Sequence, residues 1–184
     1  MSQLNLPQRI ETDRLLLQRL RYEDAEEIFY SYASKVEVTR YLTWPTHQSV
    51  QETRRFLDYV IAAWEKGIDY SYSIRLKDSG IMIGSFGIMN DQGKVSFGYC
   101  LSPNYWSKGC ATEACIAVMG VLKTLPGIYR IWTVVDVDNV GSSKVLLKSG
   151  LVLEARLANW FKFINQDNQP KDCFIYYLPE NKII

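Results

Sequence analysis

The chain has 184 residues, 47% of them apolar and 13% aromatic, which suits one domain with a buried core. Lys and Arg number 21 against 20 for Asp and Glu, so no global field draws it to nucleic acid or to an anionic membrane. One histidine, His47, and four cysteines outside any C-x-x-C spacing (Cys100, Cys110, Cys115 and Cys173) leave too few ligands for a zinc or iron site and point to free thiols.

Residues 14–20 read as an apolar strand. Residues 22–33 open with Glu23 and Asp24 and carry Ala25, Ile28, Phe29 and Tyr32 at helical spacing; a short second helix is expected over 36–42. Ser49 and Glu52 form an S-x-x-E capping-box pattern ahead of an amphipathic helix over 50–66, which Gly67 ends. The period then changes, and 70–76, 81–89 and 94–101 read as a three-strand meander joined by the turns K-D-S-G and N-D-Q-G. A helix over 110–125, a strand over 129–136, a helix over 140–149 closed by Gly150, and two strands over 151–163 and 172–178 complete the order. This predicts a single α+β domain over 1–184, with a mixed sheet of about seven strands flanked by about four helices. The start MSQLNLPQRIETDR has no apolar leader, and the apolar runs fall well short of the ~20 residues that span a bilayer, so a soluble, cytoplasmic protein is expected.

The run YWSKGCATEA at 105–114 passes from a strand through a short turn into a helix. The first N–H groups of a helix have no internal partner and the macrodipole adds positive charge there, so such a turn can cradle phosphate. Gly109 and Ala111 leave the approach open.

Five segments resemble, in order and near full length, the GNAT N-acetyltransferases, and more narrowly their ribosomal-protein N-terminal acetyltransferase branch, the RimJ/RimL-like group. They are IETDRLLLQRLRYEDAEEIF, RYLTW-P at 40–45, IMIGSFGI at 81–88, FGYCLSPNYWSKGCATEA at 97–114 and VDVDNVGSSKVLLKSGLVLE at 135–154. The resemblance implies acetyl-CoA held between two splayed parallel strands, 95–101 and 131–136, with its pantetheine arm pairing to freed backbone. The pyrophosphate would lie on the N–H groups of Trp106, Ser107, Lys108, Gly109, Cys110 and Ala111, with Lys108 adding charge and Thr112 capping the helix or touching a phosphate oxygen. The family's Q/R-x-x-G-x-G/A pattern has Trp106 at its first place here. Asn139, alone readable as an N-cap, is implied to bond the pantetheine arm; Ser142, three residues on, is implied to donate a proton to the departing thiolate. A backbone N–H near Cys100 or Leu101 would meet the developing oxyanion. No metal is implied.

Relatives often carry a glutamate base on the strand before the cradle, and the matching place here is Ser96, which cannot take a proton at neutral pH. His47 is the candidate replacement, because imidazole titrates near neutrality; Glu113 reads better as a helix-dipole partner, and Glu154 as an edge group or partner contact. A protein α-amine with pKa near ~8 arrives partly neutral in any case. Tyr41, Trp44, Tyr105, Trp160 and Phe161 are expected around one end of the sheet, an aromatic mouth that suits a peptide terminus. The reading is an enzyme moving acetyl from acetyl-CoA to a primary amine, foremost a protein N-terminal α-amine. The alternatives are a small-molecule amine acceptor and an inactive acyl-CoA-binding module. Monomer and homodimer both stay open, the exposed last strands permitting the latter.

Overall fold

The computed structural model describes residues 3–179. Eight strands form one sheet in the order β1-β2-β3-β4-β5-β6-β8-β7. They are β1 (Arg9–Glu11), β2 (Leu15–Arg19), β3 (Asp69–Leu76), β4 (Met82–Asp91), β5 (Lys94–Leu101), β6 (Arg130–Asp136), β7 (Val152–Lys162) and β8 (Pro170–Tyr177). Five α-helical segments accompany them: α1 (Ala25–Ile28), α2 (Val36–Thr39), α3 (Val50–Glu65), α4 (Cys110–Thr124) and α5 (Val140–Lys148). The domain is therefore α+β, as the hydrophobic pattern predicts. The strand beyond the expected seven is β1, three residues that pair with β2 and bury Ile10; so short a run has no period to read.

Two packed layers cover the sheet. Ala114, Cys115, Val118 and Leu122 of α4 pack on Val95, Phe97, Ile131 and Val135, together with Leu146 of α5. On the other side, Ile28 and Tyr32 meet Leu57 and Val60 of α3 over Met82 and Cys100. The α1 segment is not a plain helix. A 3-10 turn at Tyr22–Asp24 leads into it, and it widens into a π-turn over Phe29–Ala33, where Ser34 donates from its N–H (3.2 Å) and its hydroxyl (2.8 Å) to the Phe29 carbonyl. At the head of α3 Ser49 makes no side-chain cap, and Glu52 instead accepts the Gln48 N–H at 2.8 Å.

One sheet feature positions the site. β5 and β6 are its parallel pair, and they pair only over Lys94–Arg130, Val95–Ile131 and Ser96–Trp132. Past that rung β5 continues to Leu101 and β6 to Asp136 without a shared ladder. Each is held on its outer side, β5 by β4 and β6 by β8.

Candidate active site

The gap between β5 and β6 begins at a specific contact: Thr133 Oγ1 donates to the Phe97 carbonyl at 2.7 Å. Since Phe97 turns its backbone to the gap and successive residues on a strand face opposite edges, Tyr99 and Leu101 face the gap as well. Ser102 faces the other edge, donating its N–H to the Ile83 carbonyl at 2.7 Å, and Cys100 follows the same alternation toward β4. So of Cys100 and Leu101, Leu101 presents its N–H to the gap. Cys100 packs its thiol against Ser85 at 3.4 Å, and burial pushes that thiol up to about 11. Trp106 Nε1 donates to the Leu101 carbonyl at 2.8 Å and thereby fixes the last gap-facing peptide of β5.

Beyond a 3-10 turn at Pro103–Tyr105, residues 106–109 are exposed. Gly109 takes φ +81° as the N-cap of α4, and no side chain caps that helix. The first α4 N–H groups are thus left to an outside acceptor. Cys110 is buried, whereas Ala111 and Thr112 are half-buried at the helix start. Lys108 Nζ lies 5.5 Å from the centre of the Tyr105 ring.

Arg14 underpins the cradle, a role the sequence pattern did not single out. Its guanidinium donates to the Lys108 carbonyl at 3.1 Å and pairs with Glu113 at 2.7 Å. Glu113 also accepts from Thr12 Oγ1 at 2.6 Å and from the Arg14 N–H at 3.0 Å. Desolvation opposes its charge, but these hydrogen bonds and the Arg14 guanidinium hold its carboxyl below the usual range. Glu113 therefore ties α4 to the turn before β2. Glu154 is likewise engaged, in an ion pair with Arg130 at the start of β6, the end away from the gap. Ser96 occupies the last paired rung, opposite Trp132.

α5 begins beside the end of β6. Asn139 is its N-cap and accepts the Ser142 N–H on Oδ1 at 3.1 Å, which is the capping geometry. Ser142 Oγ lies 3.0 Å from the Tyr99 hydroxyl across the gap, so the seryl group on α5 is tied to the gap-facing stretch of β5.

A second wall belongs to the opposite face. The 43–48 loop is joined to the 163–169 turn between β7 and β8 by one side chain, Asn165. Its Oδ1 accepts from the Thr46 N–H (3.0 Å) and Thr46 Oγ1 (3.3 Å), and its Nδ2 donates to the carbonyls of Thr39 and Trp44, both at 2.8 Å. Gln166 donates to the buried carboxylate of Asp136 at 2.8 Å, anchoring that turn on the end of β6. His47 sits in this wall with its ring 5.2 Å from Trp44 and 6.3 Å from Phe56, and its Nδ1 shares a hydrogen bond with Thr53 Oγ1 at 2.8 Å. Burial, reinforced by Arg55 and opposed by Glu52, lowers its pKa, so the ring is neutral at pH 7. Of the five aromatic residues expected at the mouth, no two make a ring contact with each other among the described residues; Trp160 stands exposed on a bulge of β7, and Phe161 packs on Phe163 at 4.9 Å. Beside the end of β5 a cleft of about 350 Å³ opens between α1 and the Pro103–Tyr105 turn, lined by Tyr30, Ser31, Lys35, Met82, Ser102 and Tyr105. Among the described residues no group of His, Cys, Asp or Glu could hold a metal ion, and no helix is long and apolar enough to cross a membrane.

Known proteins share this fold. Residues 14–152 match the family model described as Acetyltransferase (GNAT) domain. The uncharacterized N-acetyltransferase YoaA of Bacillus subtilis (strain 168) is 29% identical over 170 residues, covering 91% of this chain and 94% of YoaA. RimL, a ribosomal L7/L12 alpha-N-protein acetyltransferase solved with coenzyme A, superposes with a TM-score of 0.82 at 19% identity over 92% of this chain and 96% of its own. RimJ of Mycobacterium smegmatis, solved with a CoA-disulfide, gives 0.85 at 16% identity over 99% and 92%. The strand gap, the uncapped glycine-led helix and the family match agree: this chain belongs to the GNAT family of N-acetyltransferases.

Proposed function

We propose that the protein transfers the acetyl group of acetyl-CoA to the α-amino group of a protein N-terminus. The observation that carries the reading is the unpaired stretch of β5 and β6 running into the uncapped start of α4. A strand-like amide arm fits the first and a pyrophosphate fits the second. The cosubstrate supplies an activated acyl group on a thiol leaving group. The N–H of Leu101 is set to donate to the thioester oxygen as charge develops, and the Trp106 indole, bonded to the carbonyl of the same residue, helps to hold Leu101 in place. The N–H groups of Gly109 to Thr112 take the pyrophosphate, with Ser107 and Lys108 at its rim.

Asn139 holds the start of α5, and its remaining amide hydrogens are available to the pantetheine arm. Ser142 adjoins the thioester sulfur and donates to it as it leaves. On the acceptor side, Glu113 and Glu154 are engaged in ion pairs, which favours His47 as the group that takes the amine proton, directly or through water. An α-amine with pKa near ~8 asks little of such a base. The wall of Trp44, His47 and Asn165 and the cleft beside Tyr105 suit an extended peptide end. RimL, named for acetylation of a ribosomal protein's N-terminus, shares the fold, which supports this class of acceptor.

The test is acetyl-CoA-dependent release of free thiol across a panel of N-terminal peptides and polyamines. Turnover confined to peptides with a free α-amine is expected; turnover with polyamines alone would reassign the acceptor, and none with any amine would leave a CoA-binding module.

A further inference from the structure

Tyr99 is the only tyrosine of β5, and its hydroxyl faces two oxygens of one residue, Ser142 Oγ at 3.0 Å and the Ser142 carbonyl at 3.5 Å. The phenol has one hydrogen to give; it is a stronger acid than a seryl hydroxyl, and Oγ is nearer to it by half an ångström than the carbonyl, so donation from Tyr99 to Oγ is the better-formed arrangement. Its ring is fixed by an aromatic column: Phe86 stacks on Tyr99 at 6.0 Å and on Phe97 at 5.5 Å. Burial pushes the Tyr99 hydroxyl well above its ordinary pKa, so it keeps its proton throughout the working range. A seryl hydroxyl that accepts from Tyr99 has its own hydrogen left to give. Otherwise the Ser142 hydrogen is free to turn to the phenol oxygen, where it does nothing for a leaving group.

We propose that Tyr99 is a positioning residue for acetyl transfer: its O–H donates to Ser142 Oγ and turns the seryl hydrogen into the gap between β5 and β6, toward the departing sulfur. This rests on the reading that Ser142 adjoins the thioester sulfur. As the C–N bond forms and the C–S bond breaks, sulfur leaves with the bonding pair and is stabilised by the Ser142 hydrogen. The proton that finally neutralises it is the one the acceptor nitrogen loses. Tyr99 gives up no proton at any stage.

The experiment follows the thiol of bound CoA by its thiolate absorbance as pH is raised, in the wild type, Tyr99→Phe, Ser142→Ala and the double variant. The bound thiol is expected to titrate below free CoA in the wild type. Ser142→Ala should raise it by about one pH unit and Tyr99→Phe by about half of that. The double variant should match Ser142→Ala, because Tyr99 acts through Ser142. A Tyr99→Phe titration equal to wild type, additive effects in the double variant, or no effect of Ser142→Ala would each overturn the proposal. Tyr99→Phe removes one oxygen and leaves the ring stack; should it fail to bind CoA, 3-fluorotyrosine incorporation gives the second reading. A more acidic phenol should lower the thiol titration in the wild type and leave Ser142→Ala unmoved, and no change in the wild type would count against Tyr99. The titration uses no acceptor, so absence of peptide turnover would sink the acceptor assignment without touching this result.

Discussion

The Thr133 hydroxyl donates to the Phe97 carbonyl at 2.7 Å, one step past the last rung that β5 and β6 share. It satisfies a buried acceptor that the ladder has abandoned and marks where the gap opens. Thr133→Val keeps the shape and removes the donor, leaving the Phe97 carbonyl unpaired. The expected loss is about 1–3 kcal/mol of stability, read by chemical denaturation, together with weaker acetyl-CoA binding in a thermal-shift titration.

Gly109 holds φ +81° at the head of α4, a left-handed position where an L side chain costs about 1–2 kcal/mol. A Cβ there would also come within 3.4 Å of the Arg14 guanidinium that supports the cradle. Gly109→Ala should raise the KM for acetyl-CoA about tenfold, which is ~1.4 kcal/mol, with a smaller effect on kcat. Steady-state kinetics with acetyl-CoA varied at saturating acceptor would check it.

Asn165 joins the wall proposed to receive the acceptor through four hydrogen bonds. Asn165→Ala should raise the KM for the acceptor severalfold while the dissociation constant for acetyl-CoA, measured by calorimetry, stays within about twofold, because distant sites with no shared partner are nearly independent.

His47 carries a pH prediction. Burial lowers its folded-state pKa below its unfolded value near ~6.5, so the unfolded chain binds the extra proton first. Its contribution to stability is complete above about pH 6.5 and is lost as pH falls through the lowered folded value. Melting temperature measured at pH 7.5 and at pH 5.5 should fall less in His47→Gln than in the wild type. If His47 takes the amine proton, the same variant should also lose the rising acid limb of the kcat profile.

The local geometry on which the proposed donor side rests was readable because it is contiguous. A strand, a glycine turn and a helix start fall within 97–112, and Asn139 with Ser142 within one helical turn; a short stretch of sequence carries both its geometry and its chemistry. Arg14 and Tyr99 escaped that reading for the opposite reason. Arg14 reaches the cradle from 94 residues away, and Tyr99 meets Ser142 across 43; no periodicity encodes such contacts. The S-x-x-E pattern at Ser49 misled slightly, because Glu52 is satisfied by Gln48 instead. β1 was too short to show a pattern, and the π-turn at Phe29–Ala33 has the same apolar spacing as an ordinary helix.

The Asn165 contacts have a kinetic consequence. Every one of those bonds ends on a single amide group, so all four depend on one side-chain conformation. A rotation about one side-chain torsion releases the 43–48 loop from the β7–β8 turn at a stroke. The rate at which that wall opens should therefore follow the chemistry of position 165 far more than the length of either loop.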